Sequence, residues 1–376
     1  MRHISTTRSR RVLAVLTATL LSGAVACERA TSPSERGELD AAAVLADYGA
    51  LNGVTASETW EGLQALAGRT PLSASAAVSA LRLVPGVSSL GASGRAYVSD
   101  VVRELSVATR TSGRGVGTSF ARTLISPSHL GKTFVYDPLR DEYVVDPART
   151  GAPRNGVRFI LYAVDGAGRP NPAREVGSAD LLDEASNSDA TIVLRLVVSR
   201  QGVTRIDYRT SVLPGNGTGR IDVDGFATDD DGTRLDFDIG VTGREQGGTS
   251  LIDADFDLGV NARNFHISGT VRGVEDGREG DGAINVTARH GAASFRVTAE
   301  GDGETIDGTI FLNDAAFVTV SGDARNPTLK GASGQPITEQ ELRAVREVLH
   351  AVDDVFALVE DLVRPVEQLL LLGWIL

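Results

Sequence analysis

Hydrophobic and polar residues alternate one by one over most of residues 202–322, as where Phe237 and Ile239 alternate with Asp236 and Asp238. A period of two residues is typical of a strand with one buried and one exposed face. Turn sequences rich in Gly and Asp separate these runs at intervals of roughly 10–15 residues. The connections are too short for parallel crossovers, so the pattern predicts an antiparallel meander with one apolar and one polar face.

Further strand patterns lie upstream of this segment. Thr133–Tyr136 and Glu142–Val145 flank a turn sequence and predict a hairpin. Val157–Val164 and Thr191–Val198 are rich in β-branched residues and predict two more strands. We therefore expect the antiparallel β meander to occupy residues 119–330.

The C-terminal region changes to helical spacing. Thr338 and Glu341 form a capping-box pattern, and apolar residues then recur at intervals of three and four over residues 342–370. This predicts an amphipathic helix of about 30 residues, kinked or broken at Pro365. We expect residues 331–376 to pack on the apolar face of the sheet.

Residues 39–118 are predicted to form a helical region that ends in a linker. Ser57 is a candidate N-cap for a helix over Ser57–Ala67, whose Trp60, Leu63 and Leu66 lie on one face. The other predicted helices are Leu39–Leu51, Ala74–Leu83 and Gly94–Val107, and the Gly-rich linker is Thr109–Thr118.

The predicted fold class is α+β, mainly antiparallel β. It consists of a large curved meander sheet or half-barrel, with N-terminal helices and a long C-terminal amphipathic helix. A hydrophobic content of 41% and a charged content of 23% are those of a globular protein.

The N-terminus has the order of an export signal. Four arginines and no acid lie in residues 1–11, the mostly apolar run Val12–Leu21 follows, and small residues lead to Cys27. The apolar run is shorter than the ~20 residues of a membrane-spanning helix. Residues 1–26 are therefore predicted to be a signal peptide.

Ala24-Val25-Ala26-Cys27 resembles the bacterial lipobox, in which small residues precede the cysteine that is lipidated and becomes the mature N-terminus. Ala24 departs from the Leu that is most common there. The resemblance implies a lipoprotein anchored through Cys27, with residues 27–38 as a tether. The alternative is an ordinary signal cleaved after Ala26 with an incidental thiol. In the Gram-negative sorting rule, Asp after the lipidated residue favours the inner membrane, so Glu28 favours the outer membrane.

The net charge and the absence of catalytic motifs in the sequence argue against several classes of function. The net charge of -12 becomes -16 after loss of the four signal arginines, which argues against nucleic-acid binding. The histidines lack metal-ligand spacing, and no nucleophile, metal or phosphate-loop motif is present. The sequence therefore predicts a non-enzymatic protein of the cell envelope without a metal or cofactor.

Seven aspartates are predicted to lie on the polar face of the sheet. If neighbouring strands pair in register, the carboxylates line up and repel one another. A solvated acidic face is the favoured interpretation and loose cation binding is the alternative. These residues are Asp222, Asp224, Asp236, Asp238, Asp253, Asp255 and Asp257.

The predicted architecture is similar to the half-barrel of lipoprotein carriers, which implies a lipid or other apolar ligand between sheet and helix. The alternative is a structural or interaction lipoprotein of the envelope whose core is fully packed and holds no ligand. The large residues predicted to line the ligand site are Phe237, Phe256, Phe265, Phe295, Phe356 and Val359.

Overall fold

The computed structural model describes residues 51, 53–67, 125–184, 191–214, 218–246, 249–275, 280–302, 304–323, 327–339, 341–343, 345, 355, 358, 359 and 362. The predictions for the signal peptide, for Cys27 and the tether, for the helices at 74–83 and 94–107 and for the linker at 109–118 lie outside these residues, as does the predicted helix at 39–51 except for Leu51. Within them the protein is mainly β, so the β part of the predicted fold class is confirmed.

One sheet of fifteen strands dominates the part of the chain that the structure describes. From β15 to β3 the strands lie in reverse order of the sequence, followed by β1 and then β2 at the other edge, and the sheet does not close. The strands are β1 Thr133–Asp137, β2 Glu142–Val145, β3 Gly156–Val164, β4 Pro170–Asp183, β5 Ile192–Arg200, β6 Val203–Pro214, β7 Thr218–Thr228, β8 Arg234–Gln246, β9 Thr249–Val260, β10 Phe265–Glu275, β11 Gly280–His290, β12 Ala293–Gly301, β13 Thr305–Leu312, β14 Ala315–Asp323 and β15 Thr328–Gly331. A short 3-10 turn, Asn261–Arg263, precedes β10.

Pairing is antiparallel throughout the meander, as predicted, with one departure. β1 pairs parallel to β3, and Thr133 and Phe134 lie opposite Arg158 and Phe159. The β1–β2 hairpin is as expected, but the chain then returns over residues 146–155 and enters β3 beside β1. Because the β1–β2 hairpin precedes the meander and lies at its edge, β1 and β3 become neighbours that run in the same direction.

Strand β4 was not predicted from the sequence. Its first half, Pro170–Glu175, lacks alternation, and residues 171–175 are exposed. Its pairing with β3 also shifts in register near Tyr162. β4 is a strand because β3 offers it a partner edge, and local pattern contributes little.

The N-terminal helix α1, Glu58–Ala67, is confirmed. The backbone N–H of Trp60 donates to Ser57 Oγ at 3.3 Å, which is the expected N-cap. Trp60, Leu63 and Leu66 are fully buried where α1 packs on β3 and β4. Helix and sheet approach closely here, since a Cβ at Gly62 would lie 3.1 Å from the carbonyl oxygen of Tyr162.

The C-terminal segment begins as predicted. Thr338 N–H donates to Glu341 Oε2 at 2.8 Å, and Glu341 N–H donates to Thr338 Oγ1 at 3.2 Å, which completes the capping box. The long helix itself is not seen, because most of its predicted positions, Pro365 included, lie outside the described residues. The described positions after 338 that are helical and buried are Val345, Val355, Leu358, Val359 and Leu362.

The hydrophobic core is one continuous cluster. It joins residues of α1, of strands β1 to β14 and of the described C-terminal positions. The opposite face of the central strands carries the charged residues.

Candidate functional site

Five of the six residues predicted to line a ligand site are described, and all belong to the core. Phe237, Phe256, Phe265 and Phe295 lie on β8, β9, β10 and β12 and are 1–5% exposed. Val359 is 9% exposed and belongs to the same cluster. Phe356 lies outside the described residues. The alternation therefore assigned the four strand positions to the correct face.

A row of three residues crosses the core at the middle of the sheet. Tyr208 on β6 lies opposite Gly225 on β7, which in turn lies opposite Phe237 on β8. The Tyr208 and Phe237 rings meet edge to face, with centroids 5.7 Å apart. They meet across an intervening strand because Gly225 has no side chain between them.

Two buried donors in this core lack partners among the described residues. The Tyr208 hydroxyl and the indole Nε1 of Trp60 have no hydrogen-bond partner among the residues that the structure describes. Burial raises the pKa of Tyr208, which keeps the phenol protonated. An unpaired polar group in a core is destabilising, because it has lost its hydrogen bonds to water. Sequence reasoning missed both donors, since their isolation depends on packing between distant segments.

The predicted alignment of aspartates on neighbouring strands is confirmed by the strand register. Asp238 on β8 lies directly opposite Asp224 on β7 and Asp257 on β9. Partial burial raises the pKa of Asp238, and the charges of Asp224, Asp255, Asp222 and Asp257 raise it further. The carboxylates therefore repel one another as the sequence predicted.

Basic residues offset part of this repulsion. Arg220 binds Asp222 at 2.6 Å, and its guanidinium reaches over Gly240 to within 3.9 Å of Asp255. His266 Nε2 lies 2.7 Å from Asp257. In the described part of the chain, no group of three or more acidic, His or Cys side chains is arranged to hold a metal ion.

A second concave site, not expected from the sequence, lies on the polar face at β3, β4 and β5. We call it the polar cleft. It has a volume of about 740 Å³, and its lining includes Thr133, Arg149, Arg158, Glu175, Ser199 and Gln201. These residues are far apart in the chain, and no local motif marks them.

Two ion pairs organise the polar cleft. Arg149 contacts Glu175 through both terminal nitrogens, with Nη1 donating to Oε2 at 3.1 Å. Arg158 donates to Asp180 through Nε at 2.6 Å and Nη2 at 2.7 Å. These hydrogen bonds raise the pKa of both arginines. The guanidiniums are thus held in fixed orientations.

No protein-family model matches this chain, and comparisons with curated proteins and with solved structures also found no match. In the described part of the chain, no helix is both long and apolar enough to cross a membrane.

Proposed function

We propose that this protein is an exported, non-enzymatic lipoprotein, anchored through Cys27 to the outer membrane, whose body binds a lipid or other apolar ligand between the sheet and the C-terminal segment. The lipobox-type sequence supports the anchor. The apolar face, which is continuous from β3 to β14, supports the ligand, because it offers one wide hydrophobic wall.

The observation that carries the proposed lipid ligand is the Tyr208 hydroxyl beside Phe237, which has no hydrogen-bond partner within the described part of the chain. A lipid has both an apolar chain to pack against the phenylalanines and a carbonyl or carboxylate oxygen to accept a hydrogen bond. Tyr208 Oη is a donor that such an oxygen would satisfy. A hydrocarbon without a polar group would leave it unpaired.

A structural or interaction role in the envelope is the second candidate. It is favoured by the low exposure of Phe237, Phe256, Phe265, Phe295 and Val359, which is also what side chains filling one another's space would show. In that case the polar face and the sheet edges contact envelope partners and the core holds no ligand.

The anchor is tested by Cys27→Ser in the full-length chain expressed in a bacterium. We expect the variant to lose labelled fatty acid and to leave the membrane fraction, whereas the wild type retains both. If the variant keeps its label and stays with the membrane, Cys27 is not the anchor.

The ligand is tested by native mass spectrometry and lipid extraction of the purified full-length chain. We expect co-purified lipid in the wild type and less of it in Tyr208→Phe. Tyr136→Phe is the matched control, because its hydroxyl already donates to Asp141 at 2.6 Å. Phe256→Ala adds a second measure: about 3–5 kcal/mol of lost stability indicates a packed core, and a smaller loss with altered lipid retention indicates a cavity wall. A full packing penalty with no lipid in the wild type would leave the structural role.

A further inference from the structure

We propose that the polar cleft is a binding site, distinct from the proposed lipid site, for a neutral, hydroxyl-rich ligand of the saccharide class. The proposal stands on the cleft's own residues and is independent of the lipid proposed for the core.

Both arginines of the cleft are already paired with carboxylates. Arg149 is paired with Glu175 and lies 3.7 Å from Asp146, and Arg158 is paired with Asp180. A phosphate or carboxylate ligand would have to displace one of these acids from an arginine. A cationic ligand would have to displace an arginine. These existing ion pairs therefore favour a ligand without net charge.

The cleft groups that these ion pairs do not use include both hydrogen-bond donors and hydrogen-bond acceptors. Arg158 uses Nε and Nη2 for Asp180, which leaves the Nη1 donors. The carboxylates keep free lone pairs, and Ser199 and Gln201 in the lining can both donate and accept. Neighbouring hydroxyls of a sugar also donate and accept, and so match such a mixed set.

Thr133 gives the cleft a group that requires a partner. It is 1% exposed and lines the cleft, and its Oγ1 has no hydrogen-bond partner within the described residues. A buried hydroxyl without a partner is destabilising in the free protein. A ligand hydroxyl in the cleft would satisfy it.

The dimensions of the cleft fit a small molecule. Its volume of about 740 Å³ lies within the range of small-molecule sites. One wall is the tip of the β5–β6 hairpin, with Ser199 and Gln201, and the other is the segment after β2, with Arg149. All the residues of both walls are among those that the structure describes.

The test uses the full-length protein and two neutral probes, maltotriose and triacetylchitotriose, at millimolar concentration in ligand-observed NMR and calorimetry. We expect at least one to bind. Thr133→Val should weaken that binding about tenfold, the effect of one lost hydrogen bond to a buried group, while raising the melting temperature. Ser199→Ala should weaken binding without changing the fold.

Thr59→Val is the matched control. Thr59 is also 1% exposed with an unpartnered Oγ1 among the described residues, but it lies on α1 and does not line the cleft. Its variant should raise the melting temperature and leave saccharide binding unchanged. The proposal is overturned if neither probe binds, if inorganic phosphate binds in their place, or if Thr133→Val and Ser199→Ala both bind as the wild type does.

Discussion

On strand β9, Asp255 and Phe256 are neighbours in the chain and lie on opposite faces of the sheet. The Phe256 side chain is 5% exposed and lies against Gly269, where an added Cβ would come within 2.4 Å of the ring. The Asp255 side chain is 57% exposed and lies within 3.9 Å of the flexible end of Arg220. The same register thus produces a close-packed face and an adaptable one.

The two faces of the sheet meet different physical requirements. On the core face the shape of a side chain matters most, because the close-packed neighbours leave no room for a larger side chain and no water fills the gap beside a smaller one. On the polar face, charge is decisive, but water and flexible arginines reduce every interaction. The largest mutational effects are therefore expected on the core face.

The largest loss of stability is expected when a charged residue is placed on the core face. Phe237→Asp and Phe256→Asp should each destabilise the protein by at least about 3–5 kcal/mol, because an uncompensated carboxylate would be buried. Denaturant unfolding measures the loss. The matched changes on the other face, Asp238→Asn and Asp255→Asn, should stay within about 0.5 kcal/mol of wild type. Equal effects from the two pairs would contradict the assignment of faces.

Alanine substitutions at two glycines, one on each face, should have effects of intermediate size on stability. Gly225 has φ +150, and a Cβ there would lie 2.3 Å from the carbonyl oxygen of Asp207 and 2.5 Å from Tyr208 Cβ. Gly225→Ala should cost about 1–3 kcal/mol from backbone strain alone. A Cβ at Gly240 would meet Arg220 Nη2 at 2.6 Å and both carboxylate oxygens of Asp255 at 2.9 Å, which are the ends of exposed side chains that can move aside.

Gly240→Ala should therefore change the free energy of unfolding by about 0.5 kcal/mol or less. Thermal unfolding of both variants provides the measurement. A cost at Gly240 equal to that at Gly225 would show that the polar face is packed as rigidly as the core.

The smallest effect concerns the charge of Asp238. Its pKa in the folded protein is raised, first by partial burial and then by its acidic neighbours, so the folded state holds the proton more tightly than the unfolded chain does. The ionised carboxylate consequently lowers stability above the folded pKa, and this penalty disappears as the pH falls below the unfolded value.

Asp238→Asn should stabilise slightly at neutral pH, and the gain should vanish as the pH is lowered through the folded pKa of Asp238. Added salt should also reduce the gain, because it screens repulsion between exposed carboxylates. Unfolding curves at several pH values and salt concentrations measure both trends. A gain that persists at low pH would mean that charge repulsion is not its cause.

Local pattern predicted the central strands well and the edge region poorly. From β7 to β12 the strands alternate, and this alternation alone assigns Phe237, Phe256, Phe265 and Phe295 to the core. β4 has no such signal, since its first half is exposed and its partner is set by the path of β3. The parallel contact of Thr133 with Arg158 likewise depends on how the β1–β2 hairpin folds back.

The sequence by itself determined the faces of the meander, the α1 cap at Ser57 and the capping box at Thr338, because each depends on residues close in the chain. The residues Ala24-Val25-Ala26-Cys27 resemble a lipobox, and lipidation of Cys27 stays a prediction. Tertiary structure decided the strand order at β1 to β4, the contact of Tyr208 with Phe237 over Gly225, and the polar cleft. Those features join residues far apart in the chain, and only packing determines which distant side chains meet and which buried donors are left without a partner.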